Sequence, residues 1–473
     1  MRHARLPTSL FASVSMNKPV RVRIAPSPTG FMHIGTARTA LFNFIFAKQH
    51  GGTFLLRIEN TDKERSKKEF EDDIIQGLAW LGLDHSEFHR QSEYLPTHAK
   101  YLESLLADGK AFWCTHTTEE LEAEGEHQRE AKEPPRHICE HRDTDKTSGI
   151  VRLRNDERAS IVIHDMIRGD IIYDPQLFGD ISLAKNLAEP LYNFVVTVDD
   201  HEMNISHVIR GEDHITNTPK QILIGRALGF TEPEWAHLPL LLAKDRTKLS
   251  KRNGAVSVGE YQKNGYIREA IINFIAFLGW HPKDEVGEVL DLETIIKVFD
   301  ITRAQRGGAV VDTEKLDWLN REHIKRLAPE EKINRAEPFI NPATKEKLGS
   351  RVAQYILAVL PRVTKLTEID AMINDLLEIP PYDAELLLWK GKLDRAKVKE
   401  TLSAILSILK NPDTAEQDFK PLIEKEGNGA VLWPLRTALS GRAISPGPYE
   451  LLSAFGLDVA ERRIQNAISK LDA

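Results

Sequence analysis

The N-terminal part of the chain alternates between strand-like and helix-like hydrophobic patterns, and this alternation constrains the fold more than any other feature. Strand-like runs occur at Val20–Ile24 and Thr53–Ile58. Runs with apolar residues at helical spacing follow each of them, at Ala37–Gln49 and Lys67–Leu81. Strand, helix, strand and helix in this order predict a parallel sheet covered by helices. Ligands of such sheets bind at the carboxyl ends of the strands.

Two segments far apart in the chain carry residues suited to binding a triphosphate. Pro26–Thr36 follows the first predicted strand and opens the first predicted helix, and a helix N-terminus favours anions. Lys248–Arg252 (KLSKR) supplies cations that can stabilise charge on phosphate oxygens. Ser27, His33 and Glu59 fall near the ends of predicted strands, so they can meet. Together these segments predict an enzyme that cleaves ATP between its α and β phosphates.

The two segments resemble the signature motifs of class I aminoacyl-tRNA synthetases. His33–Thr36 stands where that family has His-Ile-Gly-His, and Lys248–Arg252 stands where it has Lys-Met-Ser-Lys-Ser. The departures at Thr36 and Arg252 are similar to those of the glutamate branch. The resemblance covers nearly the whole chain from Asn17 onward, least distinctly in the C-terminal third. Three further segments resemble bacterial glutamyl-tRNA synthetases: Arg23–Gly30, Arg57–Asp62 and His207–Asp213.

This resemblance implies an α/β fold, a Rossmann-like parallel-sheet catalytic domain split by an α+β insertion and followed by all-α C-terminal domains. The patterns agree: a charged helical stretch at Thr118–Lys132 precedes short strand-like runs, and after Ser257 the chain is almost wholly helical. We expect the sheet to resume with a strand at Phe194–Asp200. The expected regions are an N-terminal extension (1–15), the first part of the catalytic domain (16–111), an acceptor-binding insertion (112–186), the second part of the catalytic domain (187–256), a helical stem-contact region (257–326) and a helical anticodon-binding domain (327–473).

Composition narrows the class of protein. A chain of 473 residues is too long for one core, and 41% hydrophobic with 28% charged residues is typical of soluble globular proteins. Two cysteines argue against a disulfide framework and for a reducing compartment. The net charge of −7 does not exclude RNA binding, which needs only a local basic face. We expect a cytoplasmic protein without a membrane partner, and the resemblance implies a monomer. Met1–Ser15 is either a transit segment or the product of a start upstream of Met16.

For ATP, the resemblance implies catalytic roles for His33 and Lys251. An imidazole at a helix start can donate to phosphate oxygens, and the lysine loop is expected to close only with ATP bound. Mg²⁺ is expected to accompany ATP, mostly through phosphate oxygens and water. The expected ATP-binding residues are Pro26, Thr29, Gly30, His33, Gly35, Thr36, Lys248, Leu249, Ser250, Lys251 and Arg252.

Glutamate has two carboxylates and one ammonium, so its site needs cations and an acid. Arginine suits two-pronged contacts with carboxylates, and Arg23 and Arg210 each follow a strand-like run. The resemblance implies that Glu59 meets the ammonium group and that Tyr192 hydrogen-bonds to the side-chain carboxylate. It adds Ala25 and Ser27 as neighbours of the bound amino acid.

A second set of residues predicts a structural zinc site. Cys114, His116, Cys139 and His141 form two pairs of soft or imidazole ligands, which fit tetrahedral zinc. The set resembles the Cys-x-Cys and Cys-x-His knuckle of some glutamyl enzymes, with His116 in place of a cysteine. His127 and His137 lie nearby, so the choice of ligands stays open.

The resemblance implies a ligase that joins glutamate to the terminal ribose of tRNA(Glu) by way of glutamyl-adenylate, with adenylate formation requiring bound tRNA. Arg362 matches a region that contacts the anticodon. The alternatives are a glutaminyl-tRNA synthetase, which carries β-barrels instead of helices at its C-terminus, and a nucleotidylyltransferase that shares the His-x-Gly loop but is much shorter. A paralogue that modifies a tRNA base lacks the C-terminal region, and a non-enzymatic RNA-binding module has no need for the ATP-site residues.

Overall fold

The computed structural model describes residues 19–249, 256–283, 286–412 and 414–472. The chain divides into two compact units. The first lies within Met1–Glu260 and Ile271–Asp312, and the second within Tyr261–Ala270 and Thr313–Ala473. The predicted extension 1–15 and the predicted ligands Ser250, Lys251 and Arg252 lie outside the described residues.

The strands are short and the helices range from one and a half turns to more than four. In chain order, the strands are β1 (Arg21–Ile24), β2 (Thr53–Ile58), β3 (Glu87–Arg90), β4 (Ala111–Cys114), β5 (Ile150–Leu153), β6 (Ile161–Asp165), β7 (Gly169–Tyr173), β8 (Ile181–Ala184), β9 (His207–Gly211), β10 (Glu234–Leu238), β11 (Leu241–Leu242) and β12 (Ala309–Val310). The helices up to residue 298 are α1 (Ile34–Gln49), α2 (Lys68–Leu81), α3 (Leu95–Ala107), α4 (Thr118–Glu130), α5 (Tyr192–Glu202), α6 (Thr218–Leu228), α7 (Val258–Lys263), α8 (Arg268–Phe277) and α9 (Leu292–Val298).

The predicted parallel sheet is confirmed. Strand β1 pairs in parallel with β2, and β2 pairs in parallel with β3. Strand β9 runs beside the other edge of β1, where the Ser206 N–H donates to Arg21 O at 2.9 Å, and β10 pairs in parallel with β9. The carboxyl ends of β1, β2 and β9 therefore meet at one edge of the first unit.

Burial explains why these segments form strands and helices. Five of the six residues of β2 are buried, as expected for a central strand covered on both faces. Helix α1 packs beside it with Leu41, Phe42 and Ile45 almost fully buried. The helix begins at Ile34 because the Nδ1 atom of His33 accepts hydrogen bonds from two backbone N–H groups of the first turn.

The prediction of a strand at Phe194–Asp200 is wrong, because this segment lies within helix α5. Its run of β-branched residues favours a strand locally, but Phe194, Val195 and Val198 have the spacing of one helical face and are buried in the same hydrophobic cluster. The sheet resumes instead at β9.

The region 112–186 contains an antiparallel sheet in the order β4, β5, β8. The region does not form a separate structure, because its β6–β7 hairpin belongs to another sheet, where β6 pairs in parallel with β10. The hairpin therefore extends the sheet that carries β9 and β10.

The second unit is helical where the structure describes it. Its core contains Leu402 and Ile405 of one helix, Val431 and Leu435 of another, and Ile464 of the last. The amphipathic pattern of Pro448–Leu471 predicts one long helix. The segment forms two helices instead, since Gly456 between them has a positive φ of 74°. The helices are α10 (Thr313–Arg326), α11 (Pro329–Ala336), α12 (Pro342–Leu348), α13 (Val352–Val359), α14 (Ile369–Leu377), α15 (Arg395–Leu409), α16 (Lys420–Glu426), α17 (Asn428–Ser440), α18 (Pro448–Phe455) and α19 (Leu457–Asp472).

A search of the described residues for membrane-spanning segments found none: no helix there combines the required length with the required apolar character.

Candidate active site

A cavity of about 550 Å³ lies at the carboxyl ends of β1, β2 and β9 in the first unit. Most of the predicted substrate-binding residues line it, although they come from widely separated parts of the sequence. Those that line the cavity are Arg23, Ala25, Pro26, Ser27, His33, Gly35, Thr36, Glu59, Tyr192, Arg210, Lys248 and Leu249.

Thr29 and Gly30 do not line this cavity. The Thr29 N–H donates to Ser27 O at 2.8 Å, so this part of the segment forms the turn between β1 and α1. Residues that the sequence interpretation did not single out complete the wall, among them Arg38, Thr39, Asp213 and His214. The sequence held a signal for Asp213 and His214, because Asp213 ends the His207–Asp213 segment and His214 directly follows it.

His33 is exposed at the start of α1, where its ring has a defined orientation. Its Nδ1 atom accepts from Gly35 N at 3.1 Å and from Thr36 N at 3.3 Å. A ring nitrogen that accepts a hydrogen bond carries no proton, so the proton of the neutral ring sits on Nε2. That nitrogen lies 3.4 Å from Thr36 Oγ1. The ring is thereby prepared to donate from Nε2 to an oxygen in the cavity.

The floor of the cavity is a buried network of charges. The Asp200 carboxylate, from α5, accepts from Arg23 Nε and Nη2 at 3.1 Å each and from Arg57 Nη1 at 2.7 Å. Arg57 also donates from Nη2 to Glu59 Oε1 at 3.1 Å. Asp200 therefore fixes Arg23, and Arg57 fixes Glu59. The two residues predicted to bind opposite charges of one amino acid are held in place by a shared pair of partners.

The pKa directions follow from these contacts. Burial alone would raise the pKa of Asp200, but Arg23 and Arg57 outweigh it and lower the pKa to about 2. Burial raises the pKa of Glu59, and its contact with Arg57 offsets only part of this effect. A cation placed beside Glu59 would therefore stabilise its ionised form.

A second buried layer supports the first. Asp199 accepts from Gln91 Nε2 at 2.8 Å and lies 2.6 Å from His98 Nε2 and 3.8 Å from Arg57 Nε. Buried charges need such partners, because an unpaired one is costly. The adjacent carboxylates of α5 thus both face the Arg57 side chain.

Arg210 reaches the cavity from β9 with a guanidinium that is only partly paired. Its Nη2 donates to Thr218 Oγ1 at 2.7 Å, and its Nε lies 3.4 Å from His237 Nε2. Its Nη1 atom is buried and has no hydrogen-bond partner within the part of the chain that the structure describes. Burial lowers the pKa of Arg210 to about 10, so the guanidinium stays charged at neutral pH. A buried, charged donor that lines a cavity is suited to an anionic ligand.

Tyr192 and His214 form the opposite wall. The Tyr192 hydroxyl lies 3.1 Å from His214 Nδ1. Enclosure by the surrounding protein raises the pKa of Tyr192 to about 12, while burial and the nearby Arg210 lower the pKa of His214 to about 4. Both side chains are therefore neutral at physiological pH and act as hydrogen-bonding groups.

Lys248 lies at the edge of the cavity on a turn that follows β11. The Leu249 N–H donates to Leu241 O at 2.9 Å, and Lys248 forms a backbone bridge with Leu242. Its Nζ atom lies 4.0 Å from Asp213 Oδ2. The rest of the predicted lysine loop falls outside the described residues.

A separate cluster of soft ligands lies in the region 112–186. One ligand atom each from Cys114, His116, His137 and Cys139 lies within 4.8 Å of the others. Three of these were predicted, but the fourth is His137 and not His141. The Nδ1 atom of His141 accepts from Thr115 N at 3.3 Å, and its ring stacks on His116 with centroids 4.4 Å apart. His141 groups with His116 and Glu140 instead.

The environment of the two thiols differs. Burial would raise the pKa of Cys114, but hydrogen bonds from His116, Arg152 and His137 outweigh it and lower the pKa. Burial and the neighbouring Cys114 raise the pKa of Cys139. His137 is held from behind, because its Nδ1 lies 2.6 Å from Glu124 Oε2. A carboxylate that orients an imidazole in this way is common behind metal ligands.

Arg362 lies in the second unit, just after α13. Its Nη1 atom is 3.4 Å from Ala358 O and 3.4 Å from Glu450 Oε2. The guanidinium is partly exposed, so it is accessible to a large ligand.

Comparisons with known proteins agree over nearly the whole described chain. A family model described as "tRNA synthetases class I (E and Q), catalytic domain" matches residues 19–318, and one described as "Anticodon binding domain" matches residues 331–468. A glutamate–tRNA ligase of Aquifex aeolicus is 40% identical, with 96% of this chain and 99% of the relative covered. One from Nostoc punctiforme is 39% identical over 95% of this chain and 99% of its own.

Solved structures give the same result. A glutamate tRNA ligase from Elizabethkingia meningosepticum, solved in complex with its amino acid, has a TM-score of 0.77 at 28% identity. A glutamate-tRNA synthetase from Elizabethkingia anophelis has a TM-score of 0.77 at 29% identity. Each alignment covers 96% of this chain and 100% of the other.

Proposed function

The chain belongs to the class I tRNA synthetases of the glutamate and glutamine group, and from that premise we propose that it is a glutamate–tRNA ligase. The observation that carries the proposal is the cavity in which Arg23, Glu59, Tyr192 and Arg210 converge beside His33. It offers cations for two carboxylates, an acid for an ammonium group and a hydrogen-bond donor for phosphate.

Glutamate fits the charges of the floor. Arg210, with its unpaired Nη1, and Arg23 bind the carboxylates, while Glu59 binds the α-ammonium. The ammonium charge lowers the pKa of Glu59 and favours its ionised form. Tyr192 donates to the side-chain carboxylate, and Ala25 and Ser27 border the bound amino acid.

The reaction needs placement and charge stabilisation more than covalent help from the protein. A carboxylate oxygen of glutamate attacks the α-phosphorus of ATP, a new phosphorus–oxygen bond forms, and the bond to the β-phosphate breaks with release of pyrophosphate. His33 donates from Nε2 to a phosphate oxygen as charge develops, and Lys251 and Lys248 neutralise the remaining oxygens. The terminal ribose hydroxyl of the tRNA then attacks the activated carbonyl and displaces AMP.

ATP contacts extend beyond the catalytic pair in this proposal. Pro26, Gly35 and Thr36 line the cavity where α1 begins, so the nucleotide binds along this segment. Thr29 and Gly30 shape its turn, and Leu249, Ser250 and Arg252 complete the second loop. Mg²⁺ enters with ATP, and Asp213 is the cavity carboxylate next to Lys248 that would hold it through water.

The second family match bears on the recognition of tRNA. We propose that Arg362 contacts the anticodon loop, since the "Anticodon binding domain" match includes it. We further propose that adenylate formation requires bound tRNA and that the enzyme acts as a monomer. We also propose that it acts in the cytoplasm, where translation supplies tRNA and ATP.

The glutaminyl alternative is not favoured. That relative carries β-barrels at its C-terminus, whereas the described residues beyond 312 fold into helices. The nucleotidylyltransferase alternative does not account for the second unit or for the full-length glutamate relatives.

Aminoacylation with radiolabelled glutamate tests the proposal, with tRNA(Glu) and tRNA(Gln) offered separately. We expect charging of tRNA(Glu), and losses on the order of 100-fold or more for His33→Ala and Lys251→Ala, because each removes a donor aimed at developing charge. Lys67→Ala is a matched control for the lysine, since its side chain is exposed, pairs with the surface carboxylate of Glu69 and does not line the cavity. Failure of the unmodified protein to charge either tRNA would overturn the proposal.

We also propose that the thiol and imidazole cluster binds one structural zinc ion. Two thiols, one of them with a lowered pKa, and two imidazoles form a set that zinc accepts. Cys114, His116, His137 and Cys139 would hold it with no open position for catalysis. In this role the ion stabilises the segment that joins β4 to β5.

Metal analysis of the purified protein tests the zinc proposal and the choice of ligand. We expect one zinc per chain, lost in His137→Ala and retained in His141→Ala. Equal loss in both variants would mean that His141 is a ligand as well, and no bound zinc in the unmodified protein would contradict the proposal.

A further inference from the structure

One face of helix α2 lies against the first signature segment and against the start of helix α7, which follows the second signature segment. Asp73 and Gly77 are four residues apart, so they lie on the same side of the helix. This face is turned toward Met32, the residue before His33, and toward Val258, which follows the second signature segment. Neither Asp73 nor Gly77 lines the cavity.

The Asp73 carboxylate makes a short contact with the first segment. Its Oδ2 atom accepts from the backbone N–H of Met32 at 2.6 Å. Met32 itself is buried, and the next residue is the N-cap His33. The hydrogen bond therefore fixes the backbone one residue before the imidazole.

The other oxygen of Asp73 lies near the start of α7, since a Cβ atom built on Gly259 would lie 3.7 Å from Asp73 Oδ1. Gly77 leaves room for Met32 at the same place, because it has no side chain. A Cβ there would lie 2.8 Å from Met32 Sδ and 3.8 Å from Val258 Cβ.

The His33 segment is also bonded directly to the residues at the start of α7. The Val258 N–H donates to Met32 O at 2.9 Å, and His33 forms an antiparallel backbone bridge with Ser257. The backbone of His33 is thus bonded to the residue that precedes α7, and Asp73 fixes the Met32 side of that junction.

We propose that Asp73 is a positioning residue for the ATP reaction, because it holds the His33 segment and the segment after the lysine loop in one fixed arrangement. The inference rests on the proposed function, and it adds a residue that touches neither ATP nor glutamate. Phosphate stabilisation depends on donors placed in advance, and small misplacements reduce the rate strongly. The effect of losing Asp73 therefore falls on turnover, while the glutamate site on β1, β2 and β9 keeps its geometry.

The test compares Asp73→Ala, Asp73→Asn and the neighbouring Asp72→Ala in tRNA-dependent ATP–pyrophosphate exchange. Asp72 is a matched control, since it lies on the same helix turn but pairs with the exposed Lys68. For Asp73→Ala we expect kcat to fall roughly tenfold, with the KM for glutamate unchanged. Asparagine keeps an oxygen acceptor for Met32 N–H, so Asp73→Asn should stay within about threefold of the unmodified enzyme.

Three results would overturn the proposal. The first is a kcat for Asp73→Ala equal to that of Asp72→Ala. The second is an Asp73→Asn variant as slow as Asp73→Ala. The third is a loss of kcat that only follows a loss of folded protein, as measured by circular dichroism of the same samples. Activity of the unmodified protein, measured in parallel, separates these results from a failure of the ligase proposal itself.

Discussion

At the scale of single residues, Asp200 links the parts of the cavity floor that carry opposite charge. It accepts three hydrogen bonds from Arg23 and Arg57, and Arg57 in turn holds Glu59. Neither Asp200 nor Arg57 was predicted to bind glutamate, because a sequence does not show which buried charges will pair. Most of the predicted residues that line the cavity could be found from motifs, but the residues that orient them could not.

We expect Asp200→Asn to raise the KM for glutamate by roughly tenfold, because Arg23 loses the carboxylate that orients it. The KM for ATP should change much less, since Asp200 does not reach His33. Steady-state pyrophosphate exchange at varied glutamate and at varied ATP measures both constants. Glu87→Gln is the matched control, because it breaks a similar two-pronged contact with Arg21 that is half-exposed and remote from the cavity. Equal KM values for glutamate in both variants would contradict the assignment.

The same residue gives a pH dependence with a defined sign. The pKa of Asp200 is lowered from 3.8 to about 2, so the folded state favours the ionised form. This contribution is about 2 kcal/mol at neutral pH and is lost as the pH falls from about 4 to about 2. We expect the difference in unfolding free energy between the unmodified protein and Asp200→Asn to shrink over that range. Urea unfolding at pH 7, 5, 4 and 3 measures it, and a constant difference would show that the charge of Asp200 does not contribute.

At the scale of elements, most of the catalytic half could be predicted because its strands and helices carry strong periodic patterns. Strand β2 begins and ends at the residues expected, and helix α6 has the same bounds as the helical pattern of Thr218–Leu228. Helix α5 could not be predicted, because its valine-rich sequence favours a strand. Only packing in the hydrophobic cluster that it shares with neighbouring strands and helices makes it helical. The cluster of thiols and imidazoles shows the same limit, since spacing favoured His141 while the fold brings His137 to the thiols.

The break between α18 and α19 was missed for a related reason: a hydrophobic pattern that continues across a glycine does not reveal its backbone angle. Gly456 has φ of 74°, and a Cβ atom there would overlap the guanidinium group of Arg351. We expect Gly456→Ala to lower the free energy of unfolding by more than the roughly 1 kcal/mol that the left-handed backbone alone would cost.

Gly427 provides the matched control for this prediction. Its φ of 90° and ψ of 148° lie close to the 74° and 168° of Gly456, but no atom of the described residues lies within 4 Å of the position that a Cβ atom would take. Gly427→Ala should therefore lose about 1 kcal/mol from backbone strain alone. Denaturant unfolding of both variants isolates the effect of the crowded Arg351 side chain. Equal losses in the two would mean that Arg351 moves aside without penalty.

At the scale of the whole molecule, the chain combines a catalytic unit with a helical unit, and each has its own core. The acidic net charge of −7 does not oppose tRNA binding, since contacts depend on where the cations lie. We propose that Arg362 in the second unit is such a cation. It does not line the cavity of the first unit, so we expect any effect of Arg362 on the reaction to come through tRNA.

We expect Arg362→Ala to raise the KM for tRNA(Glu) by roughly threefold to tenfold, and to reduce the slope of tRNA affinity against salt by about one, because one cation facing the tRNA is removed. The kcat at saturating tRNA should stay unchanged, since the active site is intact. Glu450→Gln is the informative control. It removes the anionic partner 3.4 Å from Arg362 Nη1 but keeps the cation, so the KM for tRNA should stay the same or fall. Aminoacylation at several salt concentrations distinguishes the two variants. If Glu450→Gln weakens tRNA binding as much as Arg362→Ala does, the ion pair supports the helical unit and Arg362 does not contact tRNA.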